Sequence, residues 1–124
     1  MGLLDSLARR RTARQITGQA GEDAALAHLQ SHGLTLVERN FRCKGGEIDL
    51  IMRERDALVF VEVRKRADAK HGGAAASVTA RKQARLVAAA QVFLQRYRMP
   101  PPCRFDVIAI DGGDIAWLTN AIEA

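Results

Sequence analysis

Three carboxylates lie inside what otherwise reads as a buried β-hairpin, and this conflict constrains the chain more than any other feature. Residues 46–66 run Gly-Glu-Ile-Asp-Leu-Ile-Met, a charged turn Arg53-Glu54-Arg55-Asp56, Ala57, and Leu-Val-Phe-Val-Glu-Val-Arg-Lys-Arg. Two runs rich in Val, Ile, Leu and Phe around a polar turn predict a hairpin. Strand interiors are depleted in Asp and Glu. A buried carboxylate must be paired, protonated or bound to a cation. Glu47, Asp49 and Glu62 therefore break a local rule, and such breaks mark functional sites.

Alternation along a strand puts Glu47, Asp49 and Ile51 on one face of the first run. It puts Leu58, Phe60, Glu62 and Arg64 on one face of the second. A symmetric four-residue turn sets Ile51 opposite Phe60, Asp49 opposite Glu62 and Glu47 opposite Arg64. Opposed Cβ atoms lie roughly 4.5–5.5 Å apart, and like charges so placed repel. A divalent cation relieves that repulsion. Mg²⁺ suits the site, because it takes one or two carboxylates plus waters and phosphate oxygens. A slip of one residue would send Glu62 to the other face.

At 124 residues the chain fits one domain with a real core. A net charge of +5 and a pI near 9.9 favour a polyanionic partner such as nucleic acid. Cys43 and Cys103 have neither zinc-ligand spacing nor a framework pattern, as expected for reduced thiols in a cytoplasmic protein. No apolar run reaches the roughly 18 residues of a membrane span, so no membrane partner is expected. The basic N-terminal stretch lacks the apolar core of a signal peptide.

In chain order, residues 1–17 carry Arg9, Arg10, Arg11 and Arg14 after an amphipathic start. A block of like charge suits either a flexible solvated tail or a nucleic-acid contact. Residues 18–124 form the single domain. A first helix is expected over residues 19–32, stopped by Gly33. In it Glu22, Ala25, Leu26 and Leu29 share a face, so Glu22 lies on the apolar stripe; alternatively it is a first-turn acid favoured by the helix dipole. Residues 34–42 predict a strand, followed by the hairpin. Residues 67–76 are small and Gly-containing and read as a loop. His28, His32 and His71 lack ligand spacing and read as surface residues.

A second helix starts at Ser77 or Thr79, either able to cap it, and runs to about residue 98. Lys82 sits where its apolar stripe meets the helix N-terminus, flanked by Arg81 and Arg85, and a snorkelling surface Lys is the alternative reading. Three prolines end the helix. A strand over residues 104–110 and a short one over 115–118 complete an α/β order. Hairpin strands apolar on both faces call for a mixed sheet flanked by helices on both sides.

With Gly18-x-x-Gly21-Glu22, Asn40-Phe41-Arg42, Gly46-Glu47-Ile48-Asp49-Leu50-Ile51, Leu58-Val59-Phe60-Val61-Glu62-Val63-Arg64-x-Arg66, Val78-Thr79-x-x-Lys82 and Arg104-Phe105-Asp106-Val107, the chain resembles the YraN-type family of small bacterial proteins. That family resembles archaeal Holliday-junction resolvases and, through them, the PD-(D/E)XK nucleases. The resemblance implies a restriction-endonuclease-like core and a Mg²⁺- or Mn²⁺-dependent endonuclease acting on structured or branched DNA. It implies metal ligation by Asp49 and Glu62, with the Val63 carbonyl as a further ligand and Glu22 as the added helix acid. It also implies a homodimer, by analogy alone.

Arg64 stands where the motif carries Lys. Arg does not shed its proton, so it can neutralise charge on phosphate but cannot serve as a base; Lys82 is then the substitute expected from sequence. Lys65 is expected on the opposite face. Arg66, Lys70, Arg81 and Arg85 join the N-terminal arginines as expected phosphate contacts. Two other functions fit the same residues: a non-catalytic nucleic-acid-binding protein, or an adaptor whose acids are paired to Arg64 and Lys82.

Overall fold

Apolar alternation and helical stripes resolve into seven elements among the described residues. The structure, a computed structural model of the chain, describes residues 13–66 and 78–122. The elements are α1 (Ala13–Ser31), β1 (Thr35–Cys43), β2 (Gly46–Glu54), β3 (Ala57–Arg66), α2 (Ala80–Leu94), β4 (Cys103–Asp111) and β5 (Asp114–Ile122). Arg9, Arg10, Arg11, Lys70 and His71 lie outside the described residues.

The strands form one sheet in the order β1-β2-β3-β4-β5. Neighbours are antiparallel except β3 and β4, which are parallel. A parallel pair needs a long crossover, and α2 lies within it. The hairpin register is the one expected, with Ile51 against Phe60. The turn is shorter than expected: Arg53 and Glu54 pair with Leu58 and Ala57, leaving Arg55-Asp56. Arg55 takes a φ of 55°, a left-handed conformation usually supplied by Gly or Asn, so this turn lacked its usual sequence marker.

Alternating side chains split the core into two layers. Ile51, Leu58, Phe60, Phe105 and Val107 pack with Leu86, Ala89, Ala90 and Phe93 of α2. Leu50, Met52, Val59, Val61, Ile108 and Ile110 pack with Ala25 and Leu29 of α1. The helices thus cover opposite faces, a mixed α/β arrangement consistent with a restriction-endonuclease-like core. Burying each large apolar side chain contributes roughly 1.5–3 kcal/mol. Phe60 stacks on Phe105 at 5.4 Å and meets Phe93 edge-on at 6.0 Å, geometries that add to burial.

Helix limits follow local chemistry. Gly33, at a φ of 92°, ends α1; the helix begins at Ala13 rather than at the expected Gln19, so it runs through Gly18. Thr79 caps α2, its hydroxyl accepting from the Lys82 amide at 3.2 Å. α2 stops at Leu94, short of residue 98, and Tyr97 packs on the core from the following turn. β5 extends to Ile122, well beyond the expected 118. Cys43 and Cys103 are free thiols, and no described helix is long and apolar enough to cross a membrane.

Candidate acidic site at a fork in the sheet

The acids stand where the hairpin ladder stops. Pairing of β2 with β3 ends at Leu50 and Val61. Beyond that point β2 pairs with β1 as far as Gly46, while β3 pairs with β4 as far as Arg66. The two strands therefore part in a fork. The expected ladder pairs Asp49 with Glu62 and Glu47 with Arg64 do not form, because the strands have separated before reaching them.

The fork has a physical signature at Asp49. A buried backbone amide needs an acceptor, and strand pairing no longer supplies one to Val63. The Asp49 Oδ2 accepts that amide at 2.8 Å instead, which fixes the carboxylate in the fork. Regular alternation also slips here. Ile48 and Ile51 share the α2 layer although three positions apart, while Leu50 lies in the α1 layer. Across from Asp49, Asn40 adopts a φ of 52°, and a bulge interrupts β1 between Leu36 and Glu38. Irregularities of this kind re-aim side chains beside active sites.

The fork opens a cavity of about 330 Å³. Its lining includes Gly21 and Glu22 from α1, Glu47 and Asp49 from β2, Glu62 to Lys65 from β3, and Lys82 from α2. Residues from both helices reach it because the sheet no longer separates its faces there. This corrects the expectation that Lys65 points away: alternation does send it to the α1 side, but the fork joins the two sides. Gly21, Glu47 and Lys65 are the lining residues that sequence reasoning did not place in the site. Glu47 shared the predicted face with Asp49 and could have been found; nothing local announces the fork that admits Lys65.

Burial sets the electrostatics. It pushes the Asp49 carboxyl up to about 6, helped by the charges of Glu22 and Glu47 and opposed by the Val63 amide and Arg64. It pushes Glu62, 8% exposed, up to about 7, helped by Asp49 and opposed by Lys82 and Arg64. Adjacent acids of this kind titrate as a pair. Arg64 Nη1 lies 3.5 Å from Glu62 Oε1, a long contact that neutralises only part of the charge.

Glu22 lines the same cavity, yet its oxygen lies 3.5 Å from Arg39, which holds Asp23 more closely at 2.8 Å. Among the described residues no three His, Cys, Asp or Glu side chains are gathered into a cation cage. Burial raises the pKa of both Asp49 and Glu62, and the Asp49 charge raises that of Glu62 further. Two hard carboxylates lining one cavity, beside room for water and phosphate, fit a hydrated Mg²⁺ or Mn²⁺ better than a soft metal. Arg85 borders a small adjoining recess with Glu47, Glu62 and Lys82, and Arg81 is exposed on the same helix. The side chains of Arg14 and Arg66 are not among those described.

A second buried acid lies in β4. Asp106 is fully buried. It accepts Arg104 Nε at 3.0 and 3.2 Å, Trp117 Nε1 at 2.9 Å and the Asn120 amide at 2.8 Å. Arg104 also reaches Glu54 at 2.8 Å, joining the hairpin end to β4 and β5.

Known proteins match the chain along nearly its whole length. A family profile described as uncharacterised protein family UPF0102 matches residues 21–110. A UPF0102 protein of Herminiimonas arsenicoxydans is 69% identical over 124 residues, covering 100% of both chains. One from Janthinobacterium is 65% identical over 121 residues and 98% of both. One from Methylibium petroleiphilum is 58% identical over 114 residues, 86% of this chain and 93% of its own. The chain therefore belongs to the UPF0102 family, the YraN-type family that its motifs resemble.

Proposed function

We propose that this protein is a divalent-cation-dependent endonuclease that hydrolyses phosphodiester bonds in structured or branched DNA, working in the cytoplasm. The observation that carries the proposal is the pairing at the fork of a part-buried Asp49 with a buried Glu62, both with raised carboxyl pKa and ringed by Arg64, Lys65 and Lys82. An adaptor would gain little from leaving two acids so poorly paired when Asp106 shows that this sheet can pair one fully.

A Mg²⁺ or Mn²⁺ held by Asp49 and Glu62 would shield phosphate charge and acidify a water. The chain's own groups have separate tasks. The Val63 amide holds Asp49 in one orientation, and Arg64 and Lys82 offset charge that gathers on phosphate. Water attack at phosphorus then leaves a 3′ hydroxyl and a 5′ phosphate, the products implied by the nuclease resemblance. Arg81 and Arg85 extend the cationic surface along α2 toward the DNA backbone, with the N-terminal arginines and Arg66 and Lys70 as further contacts.

One observation favours a second reading, a nucleic-acid-binding protein without catalysis: Arg64 occupies the lysine position of the motif and leans on Glu62. A Mg²⁺ and Mn²⁺ titration with four-way junctions and flaps separates the two. Metal-dependent cleavage by the wild type, lost by at least about 10³-fold in Asp49→Ala as for removal of a group that stabilises the transition state, supports the nuclease. Salt-sensitive binding without cleavage, unchanged in Asp49→Ala, supports the binding protein.

A further inference from the structure

We infer that Lys65 contacts the phosphate undergoing reaction, its ammonium meeting a non-bridging oxygen from the α1 side of the fork while Arg64 and Lys82 act from the α2 side. The inference rests on the nuclease reading and adds a catalytic residue that neither the strand pattern nor the family motif assigns.

Three observations carry it. First, Lys65 lines the same cavity as Asp49 and Glu62, although its neighbour Arg64 leaves the opposite face of β3. Second, among the described residues no carboxylate forms a salt bridge with Lys65, whereas Arg64 is engaged by Glu62. Third, the stem of Lys65 has a built path. A Cβ added to Gly21 would lie 3.4 Å from Lys65 Cδ and 3.9 Å from Lys65 Cβ. The aliphatic stem therefore runs along the α1 backbone at the one buried position in that turn without a side chain, leaving the ammonium at the cavity.

A methyl at position 21 would make ordinary contact; anything longer would take the space the stem occupies. Phosphodiester hydrolysis increases negative charge on the non-bridging oxygens. A fixed cation placed there stabilises the transition state more than the ground state. Lysine suits this as a compact point charge, and no proton transfer is asked of it.

The test uses the full chain. Single-turnover cleavage of a four-way junction in Mg²⁺ is compared for wild type, Lys65→Met, Lys65→Arg, Gly21→Ala and Gly21→Leu. Lys65→Met should slow cleavage roughly 10²-fold, the size of effect seen on removing one charge-stabilising donor, with little change in junction affinity. Lys65→Arg should recover most of the rate, and Gly21→Leu should resemble Lys65→Met, with Gly21→Ala slowed far less. Cleavage by Lys65→Met at the wild-type rate overturns the inference and leaves the nuclease reading intact.

A second readout does not depend on cleavage. Acetylation of Lys65 by acetic anhydride is followed by mass spectrometry with and without the junction, in Ca²⁺ and with Lys44 as the reference. Several-fold slower acetylation of Lys65 with the junction supports the phosphate contact even where no variant cleaves, an outcome that removes only the hydrolysis. Equal acetylation with and without the junction overturns the contact.

Discussion

Asp106 and the Asp49–Glu62 pair are both acids in the middle of a buried sheet, and they are treated in opposite ways. Asp106 accepts four hydrogen bonds, two of them from a guanidinium. Asp49 accepts one backbone amide, and Glu62 has a single long contact with Arg64. Fully satisfied buried charges hold a structure in one arrangement, whereas underpaired ones leave free energy available to a ligand. The sheet thus separates a fully paired acid in β4 from the underpaired acids at the fork, about one strand apart.

The largest expected effect breaks the structural side. Asp106→Ala leaves Arg104 and the Trp117 indole without their acceptor, and should lower unfolding free energy by about 3–5 kcal/mol in urea. A loss of under about 1 kcal/mol would erase the distinction between the two sites.

Next is a pH effect with the opposite logic. Folded Asp49 and Glu62 hold protons at about 6 and 7, against ordinary values of 3.8 and 4.5. Between those limits the folded state binds protons that the unfolded chain has released. Stability from this pair is therefore full below about pH 4 and is lost as pH rises to about 7. The loss should be several kcal/mol, each unit of raised pKa contributing about 1.4 kcal/mol. Asp49→Asn/Glu62→Gln should flatten that slope in metal-free denaturation curves and be the more stable protein at pH 8. A wild-type curve rising over the same window would contradict the assignment.

Gly46 sharpens the geometry beside the fork. A Cβ there would run into the Arg85 carbonyl, backbone that cannot swing aside. Gly46→Ala should cost about 1–3 kcal/mol by overpacking and shift the Arg85 and Glu47 amide resonances. The smallest effect is expected at the rim. Arg42 and Glu47 are 3.8 Å apart and largely exposed, so Arg42→Ala should change stability by less than about 0.5 kcal/mol.

Much of this was legible in the chain. The Ile51–Phe60 register followed from counting across a polar turn, and Thr79 and Gly33 announced helix limits through capping chemistry and a positive φ. The two-layer core followed from strands apolar on both sides. Other features depended on distant parts of the molecule. The sheet parts at Asp49 because Gly46–Asp49 follow β1 while Glu62–Arg66 follow β4, and no local pattern reports a strand's choice between two neighbours. Arg39 reaches Glu22 only through packing of α1 on the sheet. The start of α1 was missed because residues up to Thr17 read as a basic tail, yet the helix runs through Thr17 and Gly18. Asp106 lay in a matched motif, but of its β5 partners Asn120 lies beyond the expected end of that strand.

Because the fork lets side chains from both layers reach one cavity, each helix offers a separate handle on it. Residues along the first turns of α2 can change the charge presented to a ligand without touching the packing of α1, and positions around Gly21 can change the room available without altering that charge. Such a division allows relatives with a common scaffold to diverge in what they accept through one layer at a time.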